Sequence, residues 1–393
     1  LTRSLYERAG QPQPCRAGPT SSTALVRALQ GAGSRMEAAF GCSFRQQPAQ
    51  DWRGQMSQTG PVTVSPVENP PDWDDLVNSL DGHPLQLWGW GEAKSADGNW
   101  DALRLRVDGP DGAPLGGAQV LVRQLPFPLR QFAYVPRGPF AADGMDPGQI
   151  ASVVAQATRD ATSALAISFE PDVDESVGFT VPGGVPAVTN ILLPSTLIID
   201  LDQDEDKLLS SMSKKTRQYV RKAMREGVEV RRLDESDFDR VMEIYQETAE
   251  RAGFPLHTAD YYRRIAQELG ESSPVYGAFK DGEMQAFLWL GASDTTAFEL
   301  YGGVVESGQR SRANYALKWQ AMLDQKAKGV SRYDLNGLLN DGISDFKKGF
   351  ARHQDQLAPA VDVPLKKSLY RIWAKALPAV RAAKRKRTGE SED

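Results

Sequence analysis

Two stretches of this chain show the same order of predicted secondary structure. Residues 100–170 contain three alternating segments, a helical stretch and a short apolar segment, and residues 275–335 repeat that order. Alternation with a period of two predicts half-buried strands, whereas apolar residues three and four apart predict a helix. Antiparallel strands followed by a helix and one more strand are typical of a sheet covered by helices. The sequence therefore predicts an α+β protein built from two similar domains with a cleft between them.

The domain boundaries follow from this repeat. We place the first domain at residues 72–195, the second at 196–360, a C-terminal helical segment at 361–387 and a tail at 388–393. The two halves share little residue identity, so the duplication is inferred from the order of their elements. A chain of 393 residues has room for two ordinary domains plus extensions.

The N-terminal region differs from the rest of the chain. Residues 1–55 hold seven arginines and no lysine, and they show no sustained periodicity. We interpret them as a disordered prefix, read from a start site placed too early, with Met56 as the true start; the alternative is a transit peptide. Residues 56–71 look like a polar leader, and both segments are left out of the fold prediction.

Composition excludes several classes of protein. The net charge of −5 means that nucleic-acid binding would depend on local basic patches. Two cysteines (Cys15 and Cys42) cannot form a disulfide framework, and three separated histidines (His83, His257 and His353) do not suggest a metal site. No apolar run has the length of a transmembrane helix. We therefore predict a cytoplasmic protein that needs no metal and no cofactor.

Residues 333–350 read Y-D-L-N-G-L-L-N-D-G-I-S-D-F-K-K-G-F. The alternation of residues 333–335 predicts the end of a buried strand, and Asn336-Gly337 predicts a turn. Lys347 follows Phe346 and precedes Phe350, so its charge could enter a partly desolvated cleft and stabilise an oxyanion or a phosphate. The alternative is a surface hairpin with two solvated lysines.

Three further motifs accompany this stretch. Residues 85–94 read L-Q-L-W-G-W-G-E-A-K, and residues 134–139 read Y-V-P-R-G-P. Residues 208–226 have helical spacing and a dense basic face, made of Lys214, Lys215, Arg217, Arg221, Lys222 and Arg225. Such a face suits sequence-independent contacts with RNA phosphates, or it is simply a solvated helix surface.

These motifs, in this order, resemble the Fem family of FemX-like peptidoglycan bridge aminoacyltransferases, and the resemblance extends from about residue 72 to the end. It implies tandem acyltransferase domains of the GNAT type and a C-terminal segment that returns to the first domain. Members use aminoacyl-tRNA to lengthen the peptide of a cell-wall precursor. Residues 208–230 leave no room for a coiled-coil arm such as FemA and FemB carry, so the chain resembles the armless FemX type.

The resemblance also assigns roles to single residues. Lys347 would stabilise the oxyanion and Phe346 would shape its pocket. Residues assigned to the precursor are Lys94 for its phosphates, Tyr301 in the cleft, and His257 and Tyr261, with His257 standing where the family has an arginine. Arg137 is oriented either towards the same anionic cleft or towards an internal carboxylate. The alternatives are a solvated Lys94 and a core tyrosine at position 301; the aspartate that follows P-R-G-P in the family is here Ala142.

A helix predicted at residues 310–329 separates two kinds of chemistry. In acyltransferases that use acetyl-coenzyme A, a glycine-rich turn before this helix holds the pyrophosphate with backbone N–H groups. Here Arg312 and Asn314 stand where those glycines are expected, and their side chains would crowd a pyrophosphate. The sequence therefore disfavours coenzyme A as the acyl donor.

Together these features predict transfer of an amino acid from aminoacyl-tRNA to the stem-peptide amine of a nucleotide-linked precursor (UDP-MurNAc-pentapeptide) or of lipid II. The expected partners are the tRNA and the precursor, and we expect a monomer. The basic residues 384–387 would contact RNA or the inner membrane leaflet, or stay solvated. The alternatives are a GNAT-like N-acyltransferase with another activated donor, and a catalytically silent protein that binds tRNA or precursor.

Overall fold

The computed structural model describes residues 50–52, 62–96, 98–338 and 342–388. Its strands are β1 (Gln50–Trp52), β2 (Val62–Pro66), β3 (Trp100–Asp108), β4 (Pro114–Gln124), β5 (Gln131–Pro136), β6 (Phe140–Ala141), β7 (Ala164–Glu170), β8 (Val185–Pro186), β9 (Ser195–Thr196), β10 (Ile198–Asp200), β11 (Glu229–Arg232), β12 (Val275–Lys280), β13 (Glu283–Ala292), β14 (Thr296–Val304), β15 (Arg332–Asp334), β16 (Asp355–Gln356) and β17 (Val361–Pro364). Its helices are α1 (Pro70–Ser79), α2 (Trp88–Ser95), α3 (Pro147–Ala161), α4 (Glu205–Ser211), α5 (Lys214–Arg225), α6 (Phe238–Ala252), α7 (Ala259–Leu269), α8 (Glu306–Ser311), α9 (Ala313–Ala327), α10 (Gly342–Lys347) and α11 (Lys367–Thr388).

The first sheet has the strand order β1-β2-β3-β4-β5-β7-β17-β8, with β6 beside β4. Strands β5 and β7 are parallel, and α3 makes the crossover between them. Every residue of β7 is buried, as expected for a strand whose two faces are both covered.

The second sheet repeats this plan with the order β10-β15-β14-β13-β12-β11. An antiparallel meander (β12, β13 and β14) is followed by α9 and by β15, which lies parallel to β14. Both halves therefore place one parallel strand beside a meander after a helical crossover. The predicted α+β class and the repeated element order are both confirmed.

The C-terminal segment lies against the first sheet. Strand β17 pairs antiparallel with β7 and with β8. Helix α11 follows it, and the Trp373 ring stacks on Phe132 of β5 with centroids 4.8 Å apart. The last segment of the chain thus covers the domain with which the fold begins.

Two N-terminal predictions need correction. Residues 50–52 were assigned to a disordered prefix, but they form β1 and pair antiparallel with β2. Residues 62–66 were assigned to a polar leader, but Val62 and Val64 are buried in the first core. The alternating run V-T-V-S is a strand that was overlooked because it is short and flanked by prolines. The remainder of the prefix, with both cysteines, lies outside the described residues.

Two helices predicted as continuous are each divided. The stretch 208–226 forms α4 and α5, because the Ser213 hydroxyl accepts a hydrogen bond from the Thr216 N–H and caps a new helix. The stretch 310–329 belongs to α8 and α9, which meet at Arg312, whose φ of 62° is left-handed. Helix α5 ends at Arg225 and β11 starts at Glu229, so residues 208–230 contain no long helical arm.

The motif of residues 85–94 is a packing motif at the domain interface. Gln86 donates to the carbonyl of Pro136 over 2.6 Å and accepts from the N–H of Gln119 over 2.7 Å. A Cβ on Gly89 would lie 2.1 Å from the carbonyl oxygen of Glu268 at the end of α7. Only glycine allows α2 to approach the second domain this closely.

A partly buried ion pair between Asp172 and Arg332 connects the two sheets. Asp172, just after β7, accepts two hydrogen bonds from Arg332 of β15 over 2.6 and 2.9 Å. Burial by itself raises the pKa of Asp172, but the charge of Arg332, the charge of His83 once its ring is protonated in acid, and the hydrogen bonds from Arg332 more than offset this and hold the pKa below its ordinary value. His83 is 2% exposed, and its Nδ1 accepts from the Leu85 N–H over 3.1 Å. Burial lowers the pKa of His83 to about 3, helped by Arg137 and Arg332 and opposed by Asp172.

His83 should therefore make the fold sensitive to acid. In the unfolded chain a histidine takes up a proton near pH 6.5, whereas the folded protein resists protonation down to about pH 3. Between these two pH values the unfolded state binds one proton more than the folded state. The free energy of unfolding therefore decreases by about 1.4 kcal/mol for each unit by which the pH is lowered. We expect His83→Asn, whose side-chain oxygen can keep the bond to Leu85, to flatten this slope between about pH 6.5 and pH 4.5.

The slope is measured by urea unfolding across this pH range. The matched control is His353→Asn, because the side chain of His353 is 55% exposed and contacts Asp355 at the surface. It should leave the slope unchanged. Equal slopes for His83→Asn and the unmodified protein would contradict the assignment.

Candidate active site

A cavity of about 700 Å³ lies between the two domains. The first domain contributes α2 and β5 to its wall, and the second contributes the loop between α6 and α7, β14, α9 and α10. Among the described residues that line it, the charged side chains are Glu299 and five cations, namely Lys94, Arg251, Arg312, Lys318 and Lys347. A concave site with this excess of positive charge favours an anionic ligand.

Lys347 lies in the wall of this cavity at the end of α10. Its side chain is 7% exposed, and Nζ donates to the carbonyls of Asn336 and Gly337 over 3.0 and 3.1 Å. Phe346 lines the cavity too, with its ring edge-on to Tyr315 at 4.8 Å. The stretch predicted as a strand end and turn thus places a lysine in the cleft, and that lysine is on a short helix rather than a hairpin.

The turn before α10 orients those carbonyls. Asn336 has a left-handed φ of 59°, and its side chain donates to the backbone carbonyl of Glu299 over 2.9 Å. Its N–H donates to the Asp334 carboxylate over 2.7 Å, and the Thr196 hydroxyl donates to the same oxygen. Asparagine tolerates a left-handed backbone better than most residues. The D-L-N-G sequence therefore fixes the position of the Lys347 ammonium.

Lys94 joins the two domains across the cavity wall. Its Nζ donates to the hydroxyl of Tyr261 and lies 4.4 Å from the Trp90 ring centre. His257 stacks on the Tyr261 ring, with centroids 4.0 Å apart. The sequence prediction assigned Lys94, His257 and Tyr261 to one ligand, and the fold brings all three together at the cavity.

Tyr301 belongs to a cluster of tyrosines on the second-domain side. Its ring is 5.0 Å from Tyr262 and 5.8 Å from Tyr245. Burial raises the pKa of Tyr301 well above its ordinary value, and Tyr261 and Tyr262 raise it further. The phenol therefore stays protonated, so Tyr301 offers a neutral hydrogen-bonding group to a ligand.

A buried ion pair in the cavity wall was not predicted from the sequence. Lys318 of α9 donates to both carboxylate oxygens of Glu299 on β14, and their side chains are 5% and 7% exposed. Tyr333 also donates to Glu299 over 3.0 Å, and the Phe346 ring lies 5.4 Å from the lysine nitrogen. The available signal was a lysine within the apolar run 316–319 of a helix, which demands a counterion when buried.

Arg137 is held away from the cavity. It is buried with a left-handed φ of 48°, and its guanidinium donates to the Leu193 carbonyl over 2.9 Å. Its charge lowers the pKa of both Asp172 and Glu170, although burial dominates at Glu170 and leaves that pKa raised. Of the two orientations considered for Arg137, the geometry matches the internal carboxylates.

Glu170 shapes the cavity wall indirectly. It accepts hydrogen bonds from the Tyr134 hydroxyl and from the N–H groups of Ile191 and Leu192. Those three residues line the cavity. Arg137 and Glu170 together hold the loop at residues 191–193 in place through hydrogen bonds. Arg137 of the P-R-G-P turn therefore stabilises one wall of the cavity.

Helix α5 presents its basic face to solvent beside the cavity. Lys214, Lys215, Arg221 and Lys222 are exposed, whereas Arg217 donates to the Met212 carbonyl over 2.6 Å and ties α4 to α5. Tyr219 of the same helix packs edge-on against Tyr315, a cavity residue, with centroids 5.0 Å apart. The basic face therefore borders the site.

The turn between α8 and α9 carries two of the side chains that the sequence singled out. The Arg312 guanidinium stacks 4.5 Å from the centre of the Tyr219 ring, and both Arg312 and Asn314 line the cavity. Within the described ranges, no group of three or more His, Cys, Asp and Glu side chains is arranged to hold a metal ion. No helix of the described chain is long and apolar enough to cross a membrane.

The variant Glu299→Gln measures the free-energy cost of burying the Lys318 ammonium without a counterion. It removes the counterion of Lys318, and we expect the free energy of unfolding to fall by about 3 kcal/mol at pH 7. Burial lowers the pKa of Lys318 and Glu299 opposes that shift, so the variant lysine loses its proton more easily. Because the unfolded state then binds the extra proton, stability should rise from pH 7 to about pH 9.5. Urea unfolding at the two pH values measures both effects.

The matched control is Glu299→Gln combined with Lys318→Met, which removes the buried charge altogether. The double variant should regain most of the lost stability and show no such rise with pH. A Glu299→Gln protein as stable as the unmodified one at pH 7 would rule out the pair as a structural constraint.

Known proteins resemble this chain over part of its length. The lipid II:glycine glycyltransferase of Staphylococcus aureus is 29% identical over 222 residues, which is 53% of this chain and 50% of the relative. Its counterpart in strain MRSA252 is 29% identical over 228 residues, covering 54% of this chain and 51% of the relative. The chain thus spans about half the length of the curated relatives it matches.

The structural comparison extends further. The crystal structure of FemX covers 78% of this chain and 99% of its own, with a TM-score of 0.70 at 20% identity, so the two share a fold. The model of the FemAB family matches residues 175–279 and 283–376, just over half of the 393 residues. The resemblance found in the motifs is confirmed at the level of the family, and the chain belongs to the FemAB family.

Proposed function

We propose that this protein transfers an amino acid from aminoacyl-tRNA to the stem-peptide amine of a peptidoglycan precursor, either UDP-MurNAc-pentapeptide or lipid II. Membership of the FemAB family supports this reaction class, and the name of the Staphylococcus aureus relatives specifies glycine and lipid II for those proteins. The observation that carries the proposal is the cationic cavity between the domains, to which Lys94 of the first domain and Lys347 of the second both contribute.

The reaction forms one bond and breaks another. The free amine of the precursor attacks the ester carbonyl of the aminoacyl-tRNA, and a C–N bond forms. The carbonyl oxygen becomes an oxyanion, and its collapse breaks the ester C–O bond. The proton released by nitrogen ends on the ribose oxygen of the departing tRNA. An amine and an ester thus give an amide and an alcohol without any cofactor.

Lys347 is proposed to stabilise the oxyanion. Its ammonium is held by the carbonyls of Asn336 and Gly337, so little reorganisation is needed when the negative charge develops. The Lys347 side chain is nearly buried, and in such surroundings a fixed charge acts more strongly than in solution. Phe346 would form the apolar wall against which the ester is positioned.

The precursor is proposed to bind along Lys94, His257, Tyr261 and Tyr301. A lysine supplies a flexible point charge for a diphosphate, and Lys94 lies at a seam between the domains. The stacked rings of His257 and Tyr261 provide a flat surface beside it. Tyr301 remains protonated and is suited to donate to a carbonyl or phosphate oxygen.

The tRNA is proposed to lie on the exposed cations of α5, namely Lys214, Lys215, Arg221 and Lys222. Contacts of this kind run through phosphates and weaken with added salt. Arg217 is engaged in a backbone bond and would serve mainly to hold the helix in place. A coenzyme A donor is disfavoured, because Arg312 and Asn314 fill the turn where its pyrophosphate would bind.

The transfer reaction can be tested directly. We would incubate the full chain with purified precursor and total tRNA charged with radiolabelled amino acids, with and without ribonuclease. Label should move to the precursor only while the RNA is intact, and Lys347→Ala should reduce the rate at least about 100-fold. Lys348→Ala is the matched control, since this neighbouring lysine is exposed.

Three outcomes would contradict the proposal. Transfer that survives ribonuclease would point to another donor, and coenzyme A binding would identify one. Binding of tRNA without turnover would indicate a silent binding protein. A near-normal rate for Lys347→Ala would remove that lysine from the mechanism.

Lys94→Ala should act on binding rather than on the chemical step. Losing a charge-assisted contact of about 1.5–3 kcal/mol would raise the KM for the precursor about 10- to 100-fold, with kcat little changed. Initial rates at varied precursor concentration measure the two parameters separately. An unchanged KM, or a loss confined to kcat, would refute the assignment; Lys280→Ala, outside the cavity lining, controls for loss of charge.

A further inference from the structure

An aromatic side chain projects from one end of the first domain. The hairpin between β4 and β5 turns at residues 125–130, and Phe127 at its tip is 83% exposed. It is the most exposed large apolar side chain in the described part of the chain. Leu129 of the same turn is buried, so the hairpin is anchored while Phe127 points into solvent.

Helix α11 carries an unusual excess of charge. Residues 365–388 include nine lysines and arginines and no acidic residue. Lys367, Arg371 and Lys375 are four residues apart, so they form one line along the helix, and all three are exposed. Ile372, beside this line, is 43% exposed. The apolar face of the helix is already occupied, since Tyr370 and Trp373 are buried against the first domain.

The hairpin tip and the helix belong to one end of the domain. Lys366, at the start of α11, donates to the Ser163 carbonyl over 2.9 Å. Arg130 of the hairpin lies close to it, and burial followed by the charge of Arg130 lowers the pKa of Lys366. Trp373 stacks on Phe132, two residues after the turn. We define this end, made of Phe127, Arg130 and the outward face of residues 366–375, as the basic tip.

Several kinds of partner are conceivable for a cationic surface, and the apolar groups distinguish them. An RNA surface uses cations for phosphates and can use an aromatic ring to stack on an unpaired base, but it gains little from an exposed aliphatic side chain such as Ile372. An anionic bilayer attracts lysine and arginine at its surface and accepts apolar side chains among its acyl chains. Phe127 is on the same turn as Arg130, and Ile372 lies beside the line of cations on α11, so this end of the domain combines cations with exposed aromatic and aliphatic groups. This is the composition of a peripheral membrane site.

We propose that the basic tip docks on an anionic lipid bilayer, with Phe127 inserted into the interface and the line Lys367–Arg371–Lys375 against the headgroups. The tip is also connected to the cavity, because β5 starts beside the turn and reaches the cavity residue Tyr134 about 10 Å along the strand. A protein docked in this way holds its cavity close to the membrane surface. This second step rests on the proposed function: a cavity held close to the membrane surface favours a lipid-linked precursor as the acceptor.

The docking itself is tested without any transfer assay. The full chain is centrifuged with vesicles of phosphatidylglycerol and phosphatidylcholine, or of phosphatidylcholine alone. We expect binding only to the anionic vesicles, and weaker binding at high salt. Phe127→Ser should weaken it at least about tenfold, and so should the triple variant Lys367→Glu, Arg371→Glu and Lys375→Glu.

Matched variants control for general effects of polarity and charge. Val177→Ser changes another exposed apolar residue, which is 76% exposed. The triple variant Arg264→Glu, Arg310→Glu and Lys328→Glu changes three exposed cations of the second domain. Both should bind anionic vesicles as the unmodified protein does, and circular dichroism checks that every variant is folded.

Three results would overturn the docking surface. They are no binding of the unmodified protein to anionic vesicles, equal binding of Phe127→Ser, or equal loss in the control variants. If the triple variant of α11 loses tRNA binding and keeps vesicle binding, the tip is an RNA surface instead.

A second measurement separates this inference from the proposed function. The tip variants should lose transfer to a lipid-linked precursor in vesicles at least about tenfold and keep transfer to a nucleotide-linked precursor in solution. Equal loss with both acceptors would overturn the link between docking and acceptor choice. If the unmodified protein transfers nothing to either acceptor, the proposed function fails, and the vesicle experiment still decides on docking.

Discussion

The ion pair between Asp172 and Arg332 holds the site together. It joins the end of β7 in the first sheet to β15 in the second, through two hydrogen bonds of 2.6 and 2.9 Å. Strand β15 ends two residues later at Asp334, which begins the turn that orients the carbonyls bound to Lys347. The relative position of the two domains and the position of Lys347 therefore depend on the same short strand. A cavity assembled from two domains requires such a link, because neither domain contains the whole site.

Charge in the cavity is distributed so that one class of ligand is favoured. Burying a cation is costly unless a partner offsets the lost hydration. Lys318 has such a partner in Glu299, Lys347 is held by backbone carbonyls, and Lys94 contacts the hydroxyl and ring of Tyr261 and the ring of Trp90. The described lining nevertheless carries five lysine and arginine side chains and one carboxylate, and this excess of positive charge favours an anionic ligand.

Much of the fold could be predicted, and the errors have identifiable causes. Strand and helix periodicity located the meanders and their crossovers, because alternation and helical spacing are local properties of the chain. The divided helices were missed because each break depends on one residue: a serine cap at Ser213 and a left-handed backbone at Arg312. Strand β1 was missed because a three-residue strand has no periodicity of its own and exists through its pairing with β2.

The sequence by itself determined the α+β class, the repeated order of elements and the motifs that identify the family, because each of these depends only on residue type and on local spacing along the chain. It also identified Lys94 and Lys347 as candidates, since family motifs contain both. Only the tertiary structure decided which of those residues share a cavity. It placed Arg137 in a buried cluster, one of the two environments that the sequence left open, and revealed Glu299 and Lys318 as partners from different elements. The reason is physical: burial and pairing depend on contacts between residues far apart in the chain, and no local pattern encodes which distant partner will satisfy a buried charge.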